Sequence, residues 1–152
     1  MTKLLFVCHG NICRSTMGEY VMKHLVRQRG KGGAYYIDSA GTHSDELGNP
    51  VYPNTRRVLE REGIPCGGHR ARLLNHRDYE EFDVILAMDQ ANLRDIRRKC
   101  DGDPEGKVHL LLDYAGRPGE SVADPWYTRD FDVTFRDVLA GCQGLLDELE
   151  RK

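Results

Sequence analysis

Cys8 is followed six positions later by Arg14 and then by Ser15, with His9, Gly10, Asn11, Ile12 and Cys13 between them. A thiolate is a strong nucleophile, and a guanidinium can grip two oxygens of a phosphoryl group at once, which an ammonium does less well. The spacing suggests a phosphate cradle with a nucleophile at its floor. Spacing alone is a weak signal, because Cys66 also has an arginine six positions on, Arg72. Context separates the two. Cys8 closes the apolar run 4–7 and its loop opens into a helical pattern, whereas Cys66 follows Ile64 and Pro65 with no strand before it.

A loop that leads into a helix N-terminus presents amide groups lacking intrahelical partners, and these join the helix dipole to form an anion site. The same field favours the ionised, reactive form of a thiol at its focus. Gly10 lets the backbone bend close to a ligand. Ser15 can hydrogen bond the thiolate, and Asn11 can pin the loop by bonding to neighbouring backbone. No imidazole is required at His9, which lines the cradle only as a member of the loop. Taken singly, each residue has a plainer role: a buried thiol, a solvated arginine, a helix cap, a turn former. Their joint order favours the cradle.

Phosphoryl transfer from a thiolate also needs a proton donor for the departing oxygen. Asp124 is a candidate, because Pro125 keeps it out of helical geometry and places it on an extended turn. Trp126 and Tyr127 beside it could wall an entrance and stack on an aromatic leaving group. The plainer alternative is that Asp-Pro starts a turn and the aromatics seal the last helix.

These residues need a scaffold. Short runs rich in β-branched and aromatic residues at 3–7, 35–38, 82–87 and 107–112 predict four strands. Between them Met17, Tyr20, Val21, His24 and Leu25 follow one helix face, with Thr16 and Glu19 offering a capping box. Further helices are expected from about 54 to Gly63, over 90–99, and over 131–149, where Phe131, Phe135, Val138, Leu139, Cys142, Leu145, Leu146 and Leu149 recur at helical spacing. Cys142 on that stripe is a core hydrophobe. Segments 30–33, 41–53, 66–77 and 113–129 are expected loops. Alternating strands and helices predict an α/β fold, a three-layer doubly wound sheet of four parallel strands with helices on both faces, in one domain spanning 1–152. In such a sheet ligands bind beyond the carboxyl ends of the strands, where the loop after the first strand lies.

Composition narrows the partners. With 152 residues, 39% hydrophobic, 30% charged and a net charge of −2, nothing pulls the chain as a whole toward nucleic acid or anionic membrane. The apolar runs are too short to span a bilayer and no signal-peptide pattern opens the chain, so a cytoplasmic protein is expected. Five cysteines, an odd number without zinc-ligand spacing, predict neither a disulfide framework nor a metal site. No cofactor is expected.

The residues resemble those of the low-molecular-weight protein tyrosine phosphatases over nearly the whole chain. The resemblance rests on the opening strand and Cys8-His9-Gly10-Asn11-Ile12-Cys13-Arg14-Ser15, then Asp38-Ser39-Ala40-Gly41-Thr42 and His69 before Ala71-Arg72. It continues through Phe82-Asp83, Ala87-Met88-Asp89 with Asn92, and Asp124-Pro125-Trp126. It implies Cys8 as nucleophile, Arg14 as phosphate ligand and Asp124 as general acid. It also implies a buried network of Asn11, Ser39 and His69, and a Cys13 able to form a reversible disulfide with Cys8 that shields it from over-oxidation. Implied partners are phosphotyrosine proteins, a cognate tyrosine kinase, and phosphate or another oxyanion in the cradle, acted on by a monomer. Thr16 replaces a proline frequent after Arg14-Ser15, and Asp45-Glu46 stands where many relatives carry an aromatic wall residue. Ile12 matches the tyrosine-phosphatase pattern, whereas relatives that prefer phosphoarginine tend to have threonine there. Two other activities share the fold: protein-arginine phosphatase, and thiol-dependent arsenate reductase, for which Cys66, Cys100 and Cys142 are too dispersed. A phosphate-reading module without turnover is the non-enzymatic alternative.

Overall fold

The structure, a computed structural model, describes residues 1–151. Four parallel strands, β1 (Thr2–Cys8), β2 (Tyr35–Gly41), β3 (Val84–Ala87) and β4 (Val108–Leu110), form one sheet in the order β2-β1-β3-β4. Side chains alternate along β1. Leu4, Phe6 and Cys8 join a core built with helices α1 (Arg14–Gln28), α2 (Pro53–Arg61) and α6 (Phe131–Glu150). Leu5 and Val7 join another with α3 (His76–Glu81) and α4 (Gln90–Lys99). A strand buried on both faces must be apolar at every position, which is why residues 4–7 read as a continuous run. The expected three layers follow. One further turn of helix, α5 (Pro125–Thr128), precedes α6.

The chain departs from the expected elements in several places, one of them α5, which lies inside the expected loop 113–129. Thr16 and Glu19 do not cap α1: the helix starts at Arg14, Thr16 Oγ1 donates to the Cys13 carbonyl, and Glu19 turns inward. Phe82 belongs to the end of α3, so the third strand begins only at Val84. The fourth strand is three residues long, since residues 111–115 tighten into a 3₁₀ turn against α6. The segment 66–77 is not loop throughout. It makes a bridge from Leu73 to Gly41 and enters α3, whose Asn75 and Asp78 form a reciprocal capping box. Gly63 ends α2 with positive φ, as its position predicts. No helix among the described residues is long and apolar enough to cross a membrane.

Because all four strands run parallel, their carboxyl ends share one edge. β1 exchanges partners there, pairing with β2 on one side and β3 on the other, and Cys8 is its last residue. The order reverses at this point, which leaves a crevice above the strand ends.

Candidate active site

A cleft of about 550 Å³ opens there, lined among others by Cys8, His9, Gly10, Ile12, Cys13, Arg14, Asp124, Trp126 and Tyr127. Asn11 and Ser15 lie beneath its surface, both wholly buried. Every residue singled out from the sequence for this chemistry is therefore at one place. The decoy pair is elsewhere: Cys66 is part of the core, and Arg72 bridges Asp38 and Asp78.

Backbone carbonyls of the loop after β1 are drawn outward by donors from other segments. Thr42 N bonds the Cys8 carbonyl at 2.9 Å, His43 N that of His9 at 3.0 Å, and Tyr52 N that of Ile12 at 2.9 Å. The Asn11 carbonyl meets His69 Nε2 at 2.7 Å. Gly41 makes this close packing possible, since a Cβ there would lie 2.9 Å from the His9 carbonyl oxygen. The left-handed residue of the loop is Asn11, with φ of 61°, and not Gly10. Its side chain holds that conformation. Nδ2 donates to Ser15 Oγ at 3.0 Å and to Ser39 Oγ at 2.9 Å, while Oδ1 accepts from Arg72 N at 2.9 Å. Most of these partners are side chains, not the neighbouring backbone anticipated from sequence. Ser39 Oγ in turn donates to Glu19 at 2.5 Å, and Glu19 accepts from Lys23 at 2.6 Å. Asn11→Ala removes three buried hydrogen bonds and forces alanine to a positive φ, so it should lower stability by about 3 kcal/mol in urea unfolding.

Unlike α3 to α6, the start of α1 has no side-chain cap. The Ser15 amide instead points at Cys8 Sγ, 3.4 Å away, and Ser15 Oγ lies 3.1 Å from the same sulfur. An uncapped helix end aimed at a thiol is a seat for negative charge. Arg14 extends that seat, buried to 4% exposure. Its Nη1 lies 3.0 Å from Asp89 and 3.2 Å from the Val122 carbonyl, and its Nη2 lies 3.4 Å from Asp124. Burial works against this charge, but Cys8, Asp124 and Asp89 outweigh it and hold the guanidinium above the ordinary arginine range. Cys13 is different. Burial pushes its thiol up to about 12, only partly offset by a contact with Thr55 Oγ1 at 3.1 Å, so it is protonated at neutral pH.

Asp124 caps α5 in extended geometry, with φ −88° and ψ 111°, and its Oδ1 accepts from Trp126 N at 3.0 Å. The loop before it is fastened twice. Val122 N donates to the Met88 carbonyl after β3, and Ala123 is held by Thr134 and Asp137 of α6. Trp126 is 61% and Tyr127 87% exposed, and Trp126 leans edge-on against Tyr52, which stacks on Phe131. Several site residues were given no part in the site by the sequence reading. Asp89 steers Arg14, Glu19 anchors the network under the loop, and Asp45 accepts from His9 Nε2 at 2.9 Å while His9 stacks on His43. The sequence signals for Asp89 are the Ala87-Met88-Asp89 motif and its place as a helix cap right after an apolar strand.

A parallel sheet whose first strand ends on a cysteine beneath an uncapped helix, with an arginine and a carboxylate converging on it, defines a class of cysteine-based phosphate enzymes. A family model described as low molecular weight phosphotyrosine protein phosphatase matches residues 3–152. The low molecular weight protein-tyrosine-phosphatase YfkJ of Bacillus subtilis is 36% identical, covering 100% of this chain and 98% of that protein. Its crystal structure superposes with a TM-score of 0.95 over 99% of this chain and 96% of the other. The human low molecular weight phosphotyrosine protein phosphatase is 36% identical over 95% of this chain and 94% of its own length. The structure of DARP, a Drosophila arginine phosphatase, is 32% identical with a TM-score of 0.89, covering 97% and 98% of the two chains. The chain belongs to the low molecular weight phosphotyrosine protein phosphatase family.

Proposed function

We propose that this chain hydrolyses phosphotyrosine through a phosphocysteine, with Cys8 as nucleophile, Arg14 as phosphate ligand and Asp124 as proton donor. One observation carries the reading: the sulfur of Cys8 faces the free start of α1, between Ser15 and the guanidinium that also reaches Asp124. The Cys8 thiolate forms an S–P bond as the bond from phosphorus to the phenolic oxygen breaks. Arg14 and the loop amides, left available by carbonyls drawn outward, balance charge on the remaining phosphoryl oxygens. Asp124 gives its proton to the phenolic oxygen. Water then attacks phosphorus, the Asp124 carboxylate takes the water proton, and the S–P bond breaks to release phosphate and restore the thiolate. Gly10, Ile12, Cys13, Trp126 and Tyr127 shape the slot around the substrate, and His9 sits at its rim.

A panel of peptides bearing phosphotyrosine, phosphoserine or phosphoarginine tests this with wild type and Asp124→Ala. Wild type should act on phosphotyrosine and leave phosphoserine, whose short side chain does not bring phosphorus down to Cys8. Asp124→Ala should lose roughly 10²-fold in kcat on phosphotyrosine and much less on an aryl phosphate with a good leaving group. Faster release from phosphoarginine would instead make this an arginine phosphatase. Ile12, apolar and nearly buried in the cleft, supports the tyrosine assignment. A relay of electrons through further thiols, as an arsenate reductase requires, has no support: among the described residues Cys66, Cys100 and Cys142 lie in the cores and outside the cleft lining. The proposed substrates are phosphotyrosine proteins made by a tyrosine kinase, met by a monomer in the cytoplasm, a setting that suits five free thiols.

A further inference from the structure

The cleft is acidic around its one guanidinium. Among the described residues Arg14 is the only lysine or arginine lining it, against Asp45, Glu46, Asp89, Asp95 and Asp124. Three of those carboxylates are engaged: Asp89 and Asp124 with Arg14, and Asp95 with Arg98 at 3.1 Å. Asp45 and Glu46 are not so balanced. Asp45 accepts from His9 and Glu46 from the Asn49 amide at 3.3 Å, with no lysine or arginine of the described chain in salt-bridge contact with either.

Both are also held in place. His9 is part of the cradle loop, and its ring stacks on His43 at 4.0 Å, so the His9–Asp45 bond ties residue 45 to the loop that carries Cys8. That bond, more than any other influence, holds the Asp45 carboxyl below the usual carboxylate range. Glu46 lies over Gly10: a Cβ at that position would sit 3.2 Å from Glu46 Cγ. The bare glycine thus lets an acidic side chain rest directly on the phosphate cradle. Exposed faces of Trp126 and Tyr127 line the same cleft, and aromatic faces also attract cations.

We propose that Asp45 and Glu46 are specificity-determining residues, selecting phosphotyrosine segments that carry lysine or arginine beside the phosphotyrosine. The inference rests on the phosphotyrosine reading above. Flanking side chains stay at the rim while the phosphoryl group changes, so their contacts are equal in ground and transition states and act on KM more than on kcat. Three substrates test it: phosphotyrosine peptides flanked on both sides by lysine or by glutamate, and free phosphotyrosine.

Wild type should favour the lysine peptide over the glutamate peptide by about tenfold in kcat/KM, equal to about 1.4 kcal/mol, with the difference in KM. In 0.5 M salt, about, the preference should shrink as rim charges are screened. It should fall to about twofold in Asp45→Asn/Glu46→Gln and reverse in Asp45→Lys/Glu46→Lys. Equal rates on both peptides by wild type, or an unchanged preference in the two variants, overturn this inference while leaving the phosphatase reading standing. No hydrolysis of any of the three substrates overturns both.

Discussion

Cys8→Ala should cut turnover of para-nitrophenyl phosphate by at least ~10⁴-fold while the protein stays folded. The loss is this large because Cys8 is the thiol that faces the free start of α1 beside Arg14, and the other thiol of the cleft cannot replace it. Cys13 lines the same cleft, but burial pushes its thiol up to about 12, so it stays protonated at neutral pH. The fold survives because Cys8 is the last residue of β1, and the ladder with β2 and β3 is made by backbone that alanine keeps. Steady-state rates beside a circular dichroism spectrum check both halves. A variant with wild-type rate would place the nucleophile elsewhere and remove the basis for every role assigned here.

Arg14→Lys is the second large effect, and it keeps the charge. We expect kcat to fall about 10³-fold, well beyond what an equal charge at a similar place predicts. The reason is shape. The guanidinium reaches Asp89 and the Val122 carbonyl through one nitrogen and Asp124 through another, so it is oriented as a fork before any substrate arrives. An ammonium carries one charge centre and cannot present two parallel donors to phosphoryl oxygens. Unfolding in urea separates chemistry from stability, since the buried arginine also has structural partners. A rate within tenfold of wild type would show that the fork grips no phosphoryl oxygens.

The cradle was legible in the sequence because it is local: Cys8, the loop and Arg14 lie within eight residues, and the strand before and helix after carry their own periodic signals. Asp124 was legible through Pro125, and its backbone is indeed extended at the start of α5. What escaped depends on register between distant strands. Glu19 reads as a cap only while β2 is ignored; pairing of Phe6 with Ser39 brings that hydroxyl to the carboxylate and turns the apparent cap into an anchor. Asp89 stands in the sequence only within the Ala87-Met88-Asp89 motif, and the β1–β3 pairing is what places it beside Arg14. α3 escaped because six residues give too short a period to recognise, and because its capping box uses Asn75 and Asp78 in place of the commoner types. The fourth strand was read too long, since Leu111 and Leu112 are as apolar as a strand. They turn instead because α6 presents Gly141, which leaves room for Leu111.

The fastening of the segment before Asp124 has a kinetic meaning. Thr134 Oγ1 donates to the Ala123 carbonyl at 2.8 Å, and Ala123 N donates to Asp137, whose other oxygen accepts from Arg117 at 2.8 Å. The Asp124 carboxylate, one residue further on, is therefore already stationed beside Arg14 in the crevice. Where phosphoryl chemistry elsewhere waits on a lid to swing shut, on the mechanism proposed above a donor bolted to a twenty-residue helix would have no stroke to complete, and each cycle would be timed by bond making at phosphorus or by the departure of its products.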